Sequence, residues 1–225
     1  MAYCYEKKTD RKGNIYIEIT GYEGSIRHLV IPAMMENIPV RSIGKYAFSG
    51  REDLCSLTLP ETIDTLGRQA FYNCKNLTTL SLFDSVEDYY DGVIKQCGNL
   101  HAITLHQKRN SFSVMKELLA DNDRMLRFCV EPIGLHLTFP AYVYDFVEDV
   151  EARVLHHKIE GSGYPYRECV TRKGVDLLAY DRLFFHAADD DYRAAIDIAL
   201  DRLMYPLELE TQARDCLLYT SDAAD

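Results

Sequence analysis

A 23-residue period constrains this chain more than any other feature. "LCSLTLPETIDTLGRQAFYNCKN" begins at Leu54, "LTTLSLFDSVEDYYDGVIKQCGN" at Leu77 and "LHAITLH" at Leu100, so each copy starts 23 residues after the one before. Leu54, Leu57 and Leu59 fall over Leu77, Leu80 and Leu82, and then over Leu100, Ile103 and Leu105. Ile63 falls over Val86, Ala70-Phe71 over Val93-Ile94, Cys74 over Cys97 and Asn76 over Asn99. An earlier copy sets Ile26, Leu29, Ile31 and Pro32 over Leu54, Leu57, Leu59 and Pro60, and Ile43, Gly44, Ala47 and Phe48 over Leu66, Gly67, Ala70 and Phe71. Its spacer, around "AMMENIPV", is five residues longer, an excess that a loop absorbs.

The L-x-x-L-x-L core of each copy predicts a short strand with alternate side chains turned inward. The "AF" and cysteine positions predict a turn or short helix that returns the chain on the other side. One copy cannot bury its own apolar face, whereas stacked copies bury a continuous ladder, so the period predicts a solenoid. These residues resemble the BspA-like leucine-rich repeats, whose signature runs L-x-x-L-x-[IL]-P-x-x-[IV]-x-x-[IL]-G-x-x-A-F-x-x-C-x-x-L. The resemblance covers about residues 15–106. It implies a short right-handed α/β solenoid, a non-catalytic role in protein–protein interaction or surface adhesion, and a bacterial or protist source. The copy from Leu77 departs from the signature, with Phe83 in place of proline, Tyr89-Tyr90 at the Ile-Gly site and "GVI" for x-A-F. A distorted or closing rung is expected there.

Solenoid ends expose apolar rungs and need caps. Residues 1–25 are expected to form a capping β-hairpin, because Ile15, Ile17 and Ile19 alternate with Tyr16, Glu18 and Thr20 behind a Gly13-Asn14 turn. Residues 26–106 carry the repeats. Residues 107–215 read as a small, mostly helical α+β accessory domain. In it "SVMKELLADND" and "AYVYDFVEDVEA" predict helices, "MLRFCV" and "LHLTF" a hairpin, and "RVLHHKI" is open between strand and helix. "GVDLLAYDRLFFHAA" and "DDYRAAIDIALDRLMY" predict two more helices, the second capped by Asp189 or Asp190 and ended by Pro206. The last ten residues, "CLLYTSDAAD" (216–225), resemble a translated sequencing adapter. They are expected to be a non-native tail on a metagenomic fragment whose natural chain is cut near Asp215, so that the accessory domain is truncated.

Charge narrows the partners. With 35 acidic against 25 basic residues the net charge is −10, or about −8 without Asp222 and Asp225 of the tail. Such a chain repels phosphate backbones and anionic membranes, so nucleic acid is not an expected partner. No apolar run has the length of a signal peptide or membrane span, which favours a cytoplasmic setting. The family resemblance implies the cell surface as the alternative. The seven cysteines include no C-x-x-C pair, and scattered thiols fit a reducing compartment. Cys74 and Cys97 are expected to be small apolar fillers between rungs, and Asn76 and Asn99 to bond backbone before each strand.

Few residues suggest chemistry. "GSGYPY" (161–166), beside Arg167, offers glycines for an anion but lacks the P-loop ending, and a flexible turn is expected. His156-His157 are adjacent and poorly placed for joint metal binding. Asp189 to Asp191 suit a helix N-terminus. His101 and His106, at the last rung, have no acidic or thiol partner at a fixed spacing and are expected at the surface. No Ser/His/Asp or Cys/His set can be assembled from the order of residues, so no catalytic, cofactor or metal residue is assigned. The expected working surface consists of the outward strand positions, in columns His28/Ser56/Thr79/Ala102 and Val30/Thr58/Ser81/Thr104, with neighbours about 5 Å apart. Tyr89 and Tyr90 add aromatic contacts for a protein partner. The alternative function is an enzyme or ligand-binding domain around "GSGYPY" and nearby histidines, to which the repeats recruit substrate.

Overall fold

The structure is a computed structural model that describes residues 2–149 and 154–208; the 216–225 tail lies outside the described residues. Strands β1 (Ala2–Thr9) and β2 (Ile15–Glu23) form the expected antiparallel hairpin. Its turn is held by the Asp10 carboxylate, which accepts from the N–H groups of Lys12 and Asn14, and Gly13 takes φ +86°. Alternation along β2 puts Ile15, Ile17 and Ile19 on one face, where Ile17 and Ile19 are buried and close the first rung, while Ile15, at the start of the strand, is 54% exposed. The first turn of the solenoid follows, with β3 (His28–Val30), β4 (Met34–Met35) and β5 (Ile38–Ile43). The extra residues of this copy fold on themselves. β4 and β5 pair as a two-residue hairpin, with Glu36 at φ 51° and Asn37 at φ 61°, both left-handed as a type I′ turn requires.

The next turns supply β6 (Ser56–Thr58), β7 (Thr65–Leu66), β8 (Thr79–Phe83), β9 (Asp88–Tyr89) and β10 (Ala102–His106). β3, β6, β8 and β10 are parallel neighbours in one sheet, with Leu29, Leu57, Leu80 and Ile103 in register. A second sheet runs β1-β2-β5-β7-β9. Its two-residue strands had no period-2 signal in the sequence. Turns complete each rung, and they too are hydrogen-bonded rung to rung: the N–H groups of Tyr46, Phe48 and Gly50 donate to the carbonyls of Arg68, Ala70 and Tyr72. The same three bonds recur from Gln69, Phe71 and Asn73 to Asp91, Val93 and Lys95. Left-handed residues recur with the period, as Tyr46, Gln69 and Gly92 and again as Gly50, Asn73 and Gln96. Gly67 is required by close approach, since a Cβ there would lie 2.7 Å from the backbone of Gly44 on the preceding rung.

Side chains repeat the ladder inside. Phe48 and Phe71 stack at 5.3 Å with planes 7° apart. The Cys74 thiol donates to the Phe48 carbonyl at 3.2 Å and that of Cys97 to Phe71 at 3.1 Å. Asn76 and Asn99 donate to the carbonyls of Glu52 and Lys75, one rung back. Phe71→Ala, which empties the centre of this stack, is expected to lower the unfolding free energy by about 3–5 kcal/mol in a denaturant titration. At the entry to the repeats, Asp53 accepts from the Arg51 guanidinium and from the Ile26 N–H at 2.7 Å. The Arg51 bond, with help from Ile26, holds its carboxyl down at about 2, against 3.8 for a free side chain. A depressed carboxyl stabilises the fold above its unfolded value and ceases to do so as pH falls through its folded value. Wild type and Asp53→Asn should therefore differ in stability at pH 7 and converge between about pH 4 and 2, as followed by pH-dependent unfolding.

Beyond His106 come α1 (Ser113–Asp121), β11 (Leu126–Glu131) and β12 (Leu135–Phe139). β11 pairs parallel with β10 and antiparallel with β12, so the first sheet continues past the last clear repeat and ends in a hairpin. In the second sheet α1 takes over after β9. Its Asp121 carboxylate accepts from the Ile94 and Gly92 N–H groups and from the Tyr89 hydroxyl, tying the helix to the last turn.

The remainder holds β13 (Val143–Asp149), β14 (Val154–Glu160), α2 (Gly163–Glu168), α3 (Leu177–Arg182), α4 (Phe184–Asp190) and α5 (Tyr192–Glu208). The helix expected over "AYVYDFVEDVEA" is instead strand β13, antiparallel to β14; residues 150–152 of that stretch lie outside the described residues. Val143, Tyr144, Phe146 and Val147 are β-branched or aromatic residues, which favour a paired strand over a helix. The single helix expected over "GVDLLAYDRLFFHAA" is split at Leu183 into α3 and α4. α5 is not stopped by Pro206, for its helix runs to Glu208. Its cap is Asp191 rather than Asp189 or Asp190, with the carboxylate accepting from the N–H groups of Arg193 and Ala194.

This part docks through buried polar groups. Arg167 is 6% exposed, and its guanidinium donates to the carbonyls of Leu119, Asn122, Arg124, Pro140 and Gly163. It also lies 4.6 Å over the Tyr142 ring. Burial pulls its pKa down to about 10, still well above neutrality, so the charge persists. The Thr138 hydroxyl donates to Asp201 at 2.6 Å, joining β12 to α5. Arg167→Met strands five carbonyls and is expected to cost about 3–5 kcal/mol. Arg167→Lys should not restore the loss, because an ammonium cannot span the same five acceptors. Thermal unfolding of both variants checks this.

Candidate protein-binding surface

The solenoid places its outward strand residues in columns. His28, Ser56, Thr79 and Ala102 are paired in register, and so are Val30, Thr58, Ser81 and Thr104. The first sheet extends both columns beyond the repeats, to Arg127 in the first and to Cys129 and His136 in the second. An arginine therefore stands in a column that, over the repeats alone, has no residue typical of binding hot spots. Arg127 reaches Asp201 at 3.4 Å and Asp197 at 3.6 Å, which orients it from α5. Val30 is 60% exposed, an apolar point at the start of the second column.

A third column, Phe83/His106/Glu131, completes the face. His106 has the acidic partner that its sequence neighbourhood lacks. Its Nδ1 lies 2.9 Å from Glu131 Oε2, its Nε2 lies 3.0 Å from Ser81 Oγ, and its ring rests against Phe83 at 4.9 Å. The order Ser–His–carboxylate is that of an acid–base relay. β8, β10 and β11 are all interior strands, however, whose backbone N–H groups are engaged with neighbours on both sides. No convergent pair of backbone donors is left there to hold an oxyanion, the part of such a site that contributes most. His28 is bonded to Ser56 Oγ at 2.8 Å, while His101 is exposed and bonds the Asn99 carbonyl. The face is thus a flat, hydrogen-bonded polar surface with aromatic and cationic points toward β11.

Tyr89 and Tyr90 lie on the other sheet. The Tyr89 hydroxyl donates to Asp121 at 2.9 Å, and burial pushes the pKa of both groups up. Tyr90 is 53% exposed and borders a groove of about 480 Å³ between β9 and the start of α1.

"GSGYPY" is no flexible turn. A Cβ on Gly163 would lie 2.1 Å from the Pro140 carbonyl oxygen, so glycine lets the chain pack. The anion at this loop is the protein's own: Asp190 accepts from the Ser162 N–H at 2.7 Å. His156 and His157 are consecutive in β14, opposite Val147 and Phe146. Among the described residues no three His, Cys, Asp or Glu side chains are grouped to hold a metal ion, and no helix is long and apolar enough to cross a membrane.

Residues 22–116 match the BspA type leucine rich repeat region, in six copies. This stretch is a BspA-type repeat region. A leucine-rich repeat protein from Bacteroides ovatus shares 21% identity over 47% of this chain and 30% of its own, with a TM-score of 0.37. A leucine rich cell surface protein from Faecalibacterium prausnitzii shares 19% over 48% of this chain and 45% of its own, with a TM-score of 0.32. The T. pallidum leucine-rich repeat protein shares 18% over 45% and 68%, with a TM-score of 0.27. The chain spans less than half the length of the first two. No curated protein matches it. The BspA-type match runs past His106 into α1, and the first sheet also continues past His106, through β11 and β12. In these repeats the signature residues point inward, and the columns fall on positions the signature leaves free.

Proposed function

We propose that this chain is a non-catalytic protein-binding scaffold whose partner meets the outer face of the first sheet. The alignment of His28, Ser56 and Thr79 with Val30, Thr58 and Ser81 across adjacent strands carries the reading. It makes a rigid polar surface that a protein can cover without paying to order loops. Arg127 and the Phe83/His106 pair supply larger contact groups at one end. The partner is a protein; neither nucleic acid nor a cofactor is part of the proposal. A cytoplasmic setting agrees with the use of the Cys74 and Cys97 thiols as hydrogen-bond donors, which oxidation would abolish.

The enzyme alternative around "GSGYPY" loses support from its geometry, since Asp190 already occupies the loop's N–H. Replacing Thr58, Ser81 and Thr104 together by Arg puts three bulky cations on the face without touching the interior. Affinity capture with wild type and the triple variant is expected to lose partner recovery at least tenfold while the variant still unfolds cooperatively on heating, at a slightly lower temperature because the three cations are neighbours. Equal recovery would move the binding surface elsewhere.

A further inference from the structure

The two sheets of the solenoid end differently, and the second ends open. The N–H groups of Asp88 and Tyr90 both donate backward, to the carbonyls of Asp64 and Leu66. In a parallel ladder alternate residues bond alternate neighbours, so the N–H and C=O of Tyr89 face away from β7. β9 is the last strand of its sheet. One period further on, Ser111 and Phe112 do not continue it. The Ser111 and Arg109 N–H groups are captured by the buried Asp84 carboxylate and that of Phe112 by the Arg172 carbonyl, and the chain turns into α1. The groove of about 480 Å³ between β9 and α1 lies where the next strand of the sheet would run.

Its lining states what fits. Val86 and Val114 give it apolar points, and the exposed Tyr90 ring stands at its rim. Glu87 is paired with Arg109, and Glu117 lies 3.8 Å from Arg172. Asp84 is engaged with backbone. Asp88 has no basic partner among the described residues, so the groove keeps an unbalanced negative charge beside an unpaired strand edge.

We infer that this groove binds an extended peptide segment with a basic side chain, which adds to β9 as the next strand of the second sheet. Backbone bonds to Tyr89 would supply the affinity common to strand addition, and Asp88 and Tyr90 the selectivity. The inference rests on the reading of the chain as a protein-binding module, but it uses a different surface from the first-sheet columns.

Fluorescence anisotropy with a labelled heptapeptide of alternating lysine and valine tests it on the full chain. Binding is expected to weaken at least tenfold when alternate amides of the peptide are N-methylated, and similarly when glutamate replaces lysine. Asp88→Lys and Tyr90→Ala should each weaken it at least fivefold at unchanged thermal stability, and the Thr58/Ser81/Thr104 triple Arg variant should bind normally. No binding at millimolar peptide, or equal binding of the N-methylated peptide, overturns the groove proposal and leaves the first-sheet reading standing. Loss of partner capture by the triple variant with peptide binding intact would support the first-sheet face while leaving the groove unaffected.

Discussion

Every turn of this protein must bond to the turn before it, on each of its sides, at one fixed spacing. The first sheet, the second sheet and the turns between them each carry a backbone ladder from rung to rung. A change of length inside a rung would break several ladders together, leaving buried N–H and C=O groups without partners. The one longer copy escapes because its extra residues pair with each other as the β4–β5 hairpin. The same rule selects side chains. Cys74 and Cys97 are small enough to sit between rungs and polar enough to bond the carbonyl of the previous turn, and Gly67 leaves room where two turns nearly touch.

A structure built this way has trouble only at its ends. The hairpin closes one end by joining β2 to β5, and Arg41, bonded to Asp10 and Asp64, ties the hairpin's turn to two successive rungs. At the other end the two sheets part company. The first continues through β11 and β12 and is covered by α5, whereas the second stops at β9 and hands over to α1. The C-terminal part is joined to this end by charges that are satisfied internally, Arg167 among five carbonyls and Asp201 between Thr138 and Arg127, while Asp190 holds its own glycine loop. These residues look like chemistry in a list and act as fasteners in the fold.

The repeat also shapes what the surface can do. Interior strands spend their backbone donors on neighbouring strands, so around Ser81, His106 and Glu131 the strand N–H groups are already engaged in the ladder. What remains available outside is aligned side chains and, at β9, a strand edge that the repeat does not continue.

The period, the inward leucines, the stacked Phe48 and Phe71, the role of the cysteines and the capping hairpin can all be read along the chain. All of these follow from local alternation or from identity at a 23-residue step, because a repeat writes its long-range contacts into its own spacing. Beyond the repeats no such spacing guides the reading, and apolar patterning taken as helical misplaced β13, the break at Leu183 and the end of α5. That Arg127, His106 and Glu131 join the columns, that Asp190 fills the glycine loop and that Tyr90 borders an open strand edge emerges only from the folded chain. Those contacts join residues at unrelated spacings, and their partners are chosen by where packing brings the chain back.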